Sequence, residues 1–149
     1  MKAFATCILT MASAAAIVLA VPARSVRAAD CRASAGPGID WQECDKKLLM
    51  LGESDLSKAK LSESDFSATD LRGANLSGAN LEKSRLVRAT LAGAKADGAD
   101  FARVEAYRTD FGGIQAKDAS FESAELQRSN FKGATLLNGN FTKADLGRS

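Results

Sequence analysis

The sequence predicts an all-β solenoid, a chain that turns a corner every five residues and stacks its coils. Three observations carry this prediction. A five-residue period runs without a phase slip from residue 54 to residue 148. A small or β-branched residue stands two positions before each centre of the repeat, as Ala74 stands before Leu76. Leucine or phenylalanine fills 16 of the 19 centres between residues 56 and 146, and the exceptions are Ala96, Ala106 and Ala116.

Ordinary secondary structure cannot use a period of five. On an α-helix five residues advance about 500°, so the leucines would spiral around the helix axis. On a flat strand an odd period sends successive leucines to opposite faces. A chain that bends in every repeat can instead point all of its centres inward, with coils stacked at about 4.8 Å, the spacing of neighbouring strands. The unbroken phase also argues against a disordered low-complexity segment.

Residues 74–81, Ala-Asn-Leu-Ser-Gly-Ala-Asn-Leu, resemble the pentapeptide-repeat family, and the likeness covers residues 54–148. This resemblance implies a right-handed quadrilateral parallel β-helix with four repeats per coil, so that equivalent residues four repeats apart stack on one face. The phase continues backward through Trp41, with Lys46 as a charged centre. We therefore expect the pentapeptide-repeat β-helix to span residues 39–148.

The implied register places Ala96, Phe101, Ala106 and Phe111 in one coil. Two large residues then face each other, and two alanines fill the remaining sides at nearly constant core volume. The alanine centres are thus explained by packing, without any functional role.

Residues 1–28 are typical of an export signal peptide. Lys2 precedes an apolar run, and Val26-Arg27-Ala28 fits a small-x-small cleavage site, with Val21-Pro22-Ala23 as the alternative site. An uncleaved membrane anchor is the other interpretation, but threonines, Ser13 and many alanines weaken the run as a span. We therefore predict a periplasmic or secreted bacterial protein, without a stable membrane anchor after cleavage.

The charge and composition of the remaining chain exclude several classes of function. Removing Lys2, Arg24 and Arg27 leaves 20 − 3 = 17 basic against 18 acidic residues, a formal charge of −1. This balance does not predict a nucleic-acid partner. Histidine is absent, and no glycine-rich phosphate loop occurs, so we predict no catalytic residue, no cofactor and no metal. The aspartates that recur one residue before a centre are expected to bond the backbone at corners.

Two cysteines remain after the signal peptide, Cys31 and Cys44. An isolated pair in an oxidising compartment predicts a disulfide. Cys44 occupies an inward, small-residue position of its repeat, near the N-terminal end of the solenoid. Residues 29–38 are therefore expected to fold across that end as a lid, with Trp41 as an apolar plate beneath it.

Two ladders of outward residues lie two positions after the centres. One contains glycines and is expected at corners that need a positive φ: Gly73, Gly93, Gly113 and Gly133. The other is the arginine strip, which predicts a site for an anionic group or partner: Arg88, Arg108, Arg128 and Arg148. Tyr107 lies beside the strip and either stacks on a ligand or covers the arginines. In the alternative interpretation, acidic neighbours neutralise the strip across coils: Glu105, Glu125 and Asp145.

The C-terminal coil predicts self-association. Its centres are Phe131, Leu136, Phe141 and Leu146, with Leu137 nearby and out of phase. Solenoids need a polar terminal cap for solubility, and an open edge invites pairing. Members of the family form end-to-end dimers, so we expect a homodimer through this coil.

We therefore predict an exported structural or interaction module without catalytic activity, whose partner is an unidentified protein or an anionic surface. The resemblance raises one alternative, a DNA-mimicking protein that binds topoisomerases. Such mimicry needs a strongly acidic rod in the cytoplasm, whereas this chain has an export signal, a near-neutral charge and an arginine ladder. An enzyme of unrecognised type is the third interpretation.

Overall fold

The computed structural model describes residues 29–149. The predicted signal peptide and both predicted cleavage sites fall in residues 1–28 and lie outside the described residues. From residue 36 onward the chain repeats one local conformation every five residues. Within residues 29–149 there is no helix, and every bridge is isolated, so the architecture is a stack of turns joined by single bridge residues.

Each repeat contains a tight turn that begins at its central residue. The amide three residues later donates to the central carbonyl, as from Ala74 to Leu71 at 3.1 Å. The third residue of every turn has a positive φ, between 55° and 72°. This is the conformation that glycine favours in type II turns, and the four glycines of the predicted ladder adopt it. Sixteen residues other than glycine adopt it as well, so the corner tolerates a side chain.

The coils are joined by parallel bridges that always link a residue to the equivalent residue four repeats later. Eighteen such bridges run from Asp40–Lys60 to Glu125–Asp145. Backbone amides next to the bridges donate to the following coil, as from Phe101 to Ser120 at 2.7 Å. Because this offset is the same at every bridge, the predicted four repeats per coil are confirmed.

The core lies inside the coils and consists of stacked central residues. Every centre from Leu56 to Leu126 is buried, and so are the alanine centres. Phe101 stacks on Phe121 with ring centroids 4.8 Å apart, the spacing of neighbouring strands. Phe111 meets Phe101 edge-on across the coil at 6.1 Å. Large and small centres therefore share the middle coil, as the predicted volume compensation requires.

Several polar residues fit the regular positions because the backbone satisfies them, although the buried hydroxyl of Ser84 has no partner. At the inward position before the centre, the hydroxyls of Thr69 and Thr109 donate to carbonyl oxygens of the preceding coil at 2.6 Å. A buried hydroxyl without such a partner would lose its bonds to water without replacement. On the outside, Asp65 and Asp110 accept the amide two residues later at 2.9 Å. These bonds confirm that the recurring aspartates support the corners.

Candidate functional site

The arginine strip lies along one corner of the solenoid. All four guanidinium-bearing residues are exposed, and each has a left-handed backbone with φ between 57° and 62°. The coil spacing is 4.8 Å, as measured between the stacked rings of Phe101 and Phe121 in the core. Arg88 and Arg148 stand three such coil steps apart along the axis, with Arg108 and Arg128 between them. The structure thus brings the four predicted cations into one line.

The acidic neighbours of the strip make no direct ion pair with it within residues 29–149. Glu105 pairs instead with Arg85 at 3.0 Å, and Asp145 accepts a bond from the Gln127 side chain at 2.8 Å. Among residues 29–149 no carboxylate oxygen lies within 4.0 Å of a strip guanidinium. A row of like charges without partners raises the local potential and attracts anions. The other three arginines of the solenoid are all ion-paired: Arg72, Arg85 and Arg103.

Tyr107 packs against the strip. Its ring centroid lies 5.2 Å from the guanidinium carbon of Arg108 and 5.7 Å from that of Arg128. Both distances fall within the range of cation–π attraction, about 6 Å. The ring therefore contacts two successive arginines of the strip, and both predicted roles, covering the arginines and stacking on a ligand, stay predictions.

The predicted disulfide is present at the N-terminal end. Cys31 and Cys44 are bonded, with their Cα atoms 5.4 Å apart. Cys44 is buried in the inward position that its place in the repeat predicts, and Trp41 beside it is only 1% exposed. Trp41 therefore forms the apolar plate expected beneath the lid.

The lid is anchored by backbone bonds as well. The amide of Asp30 donates to the carbonyl of Asp40 at 3.1 Å. The amide of Gly38 donates to Ser57 at 2.7 Å, a bond that follows the regular ladder. Since the turn at residues 37–38 already has the conformation of a repeat, the segment that crosses the end is the part before residue 36.

Lys46 is the charged centre for which the sequence predicted no role. Its ammonium donates to the Cys31 carbonyl at 2.7 Å and lies 3.6 Å from the Trp41 ring centroid. The residue is 6% exposed. Burial lowers the pKa of Lys46, and the nearby Asp30 carboxylate opposes this effect. A charged residue at an inward centre, next to a predicted lid, is the sequence signal that could have identified this contact.

Apolar side chains are exposed at both ends of the solenoid. In the first coil Leu48 and Met50 point outward and are 77% and 78% exposed. In the last coil the out-of-phase Leu137 is exposed, as expected. The four centres there line an open apolar hollow together with a terminal hydroxyl: Phe131, Leu136, Phe141, Leu146 and Ser149.

The part of the chain that the structure describes contains no group of three or more histidine, cysteine or carboxylate side chains placed to hold a metal ion. In the same residues, no helix has the length and apolarity to cross a membrane. The surface features that remain are the arginine strip, the closed N-terminal end and the open C-terminal hollow.

Solved structures similar to this chain include pentapeptide repeat proteins. Rfr23 from the cyanobacterium Cyanothece 51142 is 24% identical over 61% of this chain and 60% of that one, with a TM-score of 0.57. A protein from the thylakoid lumen of Arabidopsis thaliana is 28% identical over 68% and 70% of the two chains, with a TM-score of 0.47. QnrB1, a plasmid-mediated fluoroquinolone resistance protein, is 18% identical over 76% and 68%, with a TM-score of 0.45. This chain spans less than two thirds of the length of Rfr23.

No curated protein matches the sequence. The family model described as pentapeptide repeats (8 copies) matches residues 51–86, 84–122 and 117–149. These matches cover most of the solenoid, and they agree with its five-residue turns and its register of four repeats per coil. The chain therefore belongs to the pentapeptide-repeat family.

Proposed function

We propose that this chain is an exported, non-catalytic interaction module, and that the arginine strip is its docking surface for an anionic partner. The observation that carries the proposal is the contrast among the solenoid's arginines. Those outside the strip have carboxylate partners, whereas the four in the strip lie in one exposed line without any among residues 29–149. An anionic surface would supply the missing counter-charges.

The fold and compartment fit this role. We infer the right-handed quadrilateral β-helix that membership in the family implies, a rigid rod on which side chains stand at fixed spacing. The signal-like residues 1–28 support export to the periplasm or the medium. Fractionation of cells that carry a tagged copy tests this point. A full-length cytoplasmic protein would contradict export and favour the DNA-mimicking, topoisomerase-binding alternative, although a formal charge near zero fits that alternative poorly.

Binding to lipid vesicles tests the strip. The probe is phosphatidylglycerol mixed into phosphatidylcholine vesicles, with pure phosphatidylcholine as the uncharged reference. The strip variant replaces Arg88, Arg108 and Arg128 with glutamine. Each basic residue near an anionic surface contributes about 1 kcal/mol. Three replacements should therefore weaken binding by about 3 kcal/mol, roughly 100-fold.

A matched control separates the strip from net charge. The control variant carries glutamine at the ion-paired arginines, so it loses the same three positive charges: Arg72, Arg85 and Arg103. We expect less than a tenfold loss for this control. Equal losses in the two variants, or no binding by the wild-type chain at low salt, would refute the strip as a docking surface.

We also propose that the chain self-associates through its C-terminal coil. The support is the open apolar hollow that the centres of this coil line. Light scattering at micromolar concentration identifies the surface on the second copy. A wild-type mass above the monomer that Phe141→Lys returns to the monomer would show that two C-terminal ends pair, because an ammonium in the hollow opposes apolar contact. A wild-type monomer that the lysine leaves unchanged would contradict pairing between two C-terminal ends. Contact with the opposite end of a second copy would then be the remaining arrangement.

A further inference from the structure

The two ends of the solenoid carry different backbone groups. In an interior coil the amide of each centre donates to a carbonyl of the following coil, as Phe121 does to Asn140 at 2.7 Å. Within residues 29–149 the centres of the last coil find no such acceptor. The C-terminal edge is therefore rich in amide donors, which belong among others to Phe131, Leu136, Phe141 and Leu146.

The N-terminal edge carries the matching acceptors. Within the described chain the carbonyls of Gln42 and Asp45 accept no backbone amide, whereas that of Asp65, one coil later, accepts the amide of Lys46 at 2.8 Å. A C-terminal edge placed against this end would continue the ladder with donors facing acceptors. Two C-terminal edges placed against each other would leave amides unpaired, because within residues 29–149 each repeat of this edge presents two unbonded amides against one unbonded carbonyl, such as that of Ala134.

Two features close the N-terminal edge. The lid uses the Asp40 carbonyl for the Asp30 amide, and the disulfide between Cys31 and Cys44 holds it across the end. The second feature is Lys46, whose inward ammonium stands where the other centres have apolar side chains. Inward charges at a sheet edge oppose pairing, because stacking would bury the charge and remove its bond to the lid.

The closed lid also leaves one polar group unsatisfied. The indole N–H of Trp41 is buried and has no hydrogen-bond partner. Such a group costs about 1–3 kcal/mol of stability. The disulfide offsets a cost of this size, since closing a loop of this length stabilises by about 3 kcal/mol. The covalent bond is thus what we expect to keep the end covered.

We propose that the N-terminal edge is a docking surface for the C-terminal edge of a second copy, and that the disulfide-held lid and the Lys46 side chain keep it closed. This inference rests on the self-association proposed above and names the surface on the second copy. The resulting assembly is a head-to-tail stack in the register of the coils. The disulfide and the inward ammonium of Lys46 prevent the oxidised wild-type chain from forming this stack.

The test opens the end by substitution. The open variant combines Cys31→Ser, Cys44→Ala and Lys46→Leu. Alanine occupies the equivalent inward position in later repeats, as at Ala59 and Ala74, and leucine is the usual centre, so the repeat is preserved. Trp41, the sole tryptophan, reports lid opening by a red shift of its fluorescence. Light scattering and electron microscopy should show stacks whose mean length rises with concentration.

A mixing experiment gives the direction of stacking. The oxidised wild-type chain has a closed N-terminal edge, so it should act as a terminator and shorten the stacks when added in excess. Phe141→Lys in the open variant should abolish them. The Lys46→Leu chain with its disulfide intact is the control for the substitution and should not stack, and the same chain after reduction provides a second route to the open end.

Each result decides the proposal. Stacks that wild-type chains shorten would support it. An open variant that stays monomeric with Trp41 exposed would overturn it, as would a Trp41 that stays buried without the disulfide. Wild-type dimers with the lid closed, which Phe141→Lys dissociates, would show that two C-terminal ends pair with each other. That outcome would overturn this inference while supporting the self-association from which it starts.

Discussion

Replacing Phe111 with alanine tests the packing of the solenoid most directly. Phe111 is fully buried, stacks on Phe131 at 4.8 Å, and meets Phe101 and Phe121 edge-on at 6.1 and 5.9 Å. The adjacent residue Asp110 is bridged to the coils on both sides, so the backbone cannot move inward to fill a cavity. The void left by the ring should therefore persist.

The expected loss follows from this geometry. Phe→Ala substitutions in cores cost about 3–5 kcal/mol, and the cost rises with the size of the cavity that remains. Aromatic pairs add about 0.5–1.5 kcal/mol beyond the area they bury, and Phe111 has three such neighbours. We therefore expect about 4–5 kcal/mol for Phe111→Ala, toward the upper end of that range. Phe111→Leu should cost less than about 1.5 kcal/mol, because leucine fills the same ladder one coil earlier, at Leu91.

Urea denaturation followed by far-ultraviolet circular dichroism provides the measurement. With a slope of about 2 kcal/mol per molar urea, a loss of 4 kcal/mol moves the midpoint by about 2 M. Phe141→Ala is the positional control, because Phe141 is half-buried at the end of the stack and loses about half as much apolar burial. Equal midpoints for Phe111→Ala and Phe141→Ala would refute the assignment of Phe111 to a closed interior coil.

Three further predictions follow from single positions. Ala106→Phe should destabilise the chain by about 1–3 kcal/mol through overpacking, and an unchanged thermal melt would contradict the shared coil. At the corners, Gly93→Ala should lower the free energy of unfolding by about 1 kcal/mol, and Ala68→Gly should raise it by about as much, because both positions have a positive φ. An added Cβ at Gly93 meets no atom within 4 Å, so the effect there comes from the backbone conformation. Urea midpoints of the two variants measure these changes. A side-chain hydrogen bond from Arg72 lowers the pKa of Asp70 to about 2. The stability from this bond is therefore present above about pH 4 and is lost as the pH falls toward 2, so Asp70→Asn should flatten the acid limb of stability.

The sequence predicted the fold in detail because a five-residue period constrains every position. Once each centre points inward, the positions of the small residues before it and of the turn after it are determined. With four repeats per coil, Phe101 and Phe111 then lie in the same coil. The disulfide was predictable for a similar reason, since Cys44 occupies an inward position beside the end of the solenoid. The export signal stays a prediction, because residues 1–28 lie outside the described residues.

The surface was less predictable, because ladders give the order of side chains along a corner but not the directions of long ones. Glu105 was expected to neutralise the arginine strip, yet it reaches back one coil to Arg85. The sequence placed Tyr107 beside the strip, but its distances to Arg108 and Arg128 depend on the directions of long side chains, which the repeat does not give. Lys46 was visible as an exception, but its bond to the Cys31 carbonyl depends on how the lid folds, which no repeat encodes.

The residues at the corners show which side chains the backbone conformation favours and which need another explanation. The residue at each corner has a positive φ, which an L-residue occupies at a cost of about 1 kcal/mol relative to glycine. On one corner the chain avoids this cost with a glycine ladder, whereas on the adjacent corner it has arginines without ion-pair partners among residues 29–149. The backbone conformation of the corner therefore gives no reason for these arginines. If they serve an anionic partner, replacing Arg88, Arg108 and Arg128 with glycine should raise the urea midpoint and weaken vesicle binding together. A loss of stability instead would mean that the strip supports the fold.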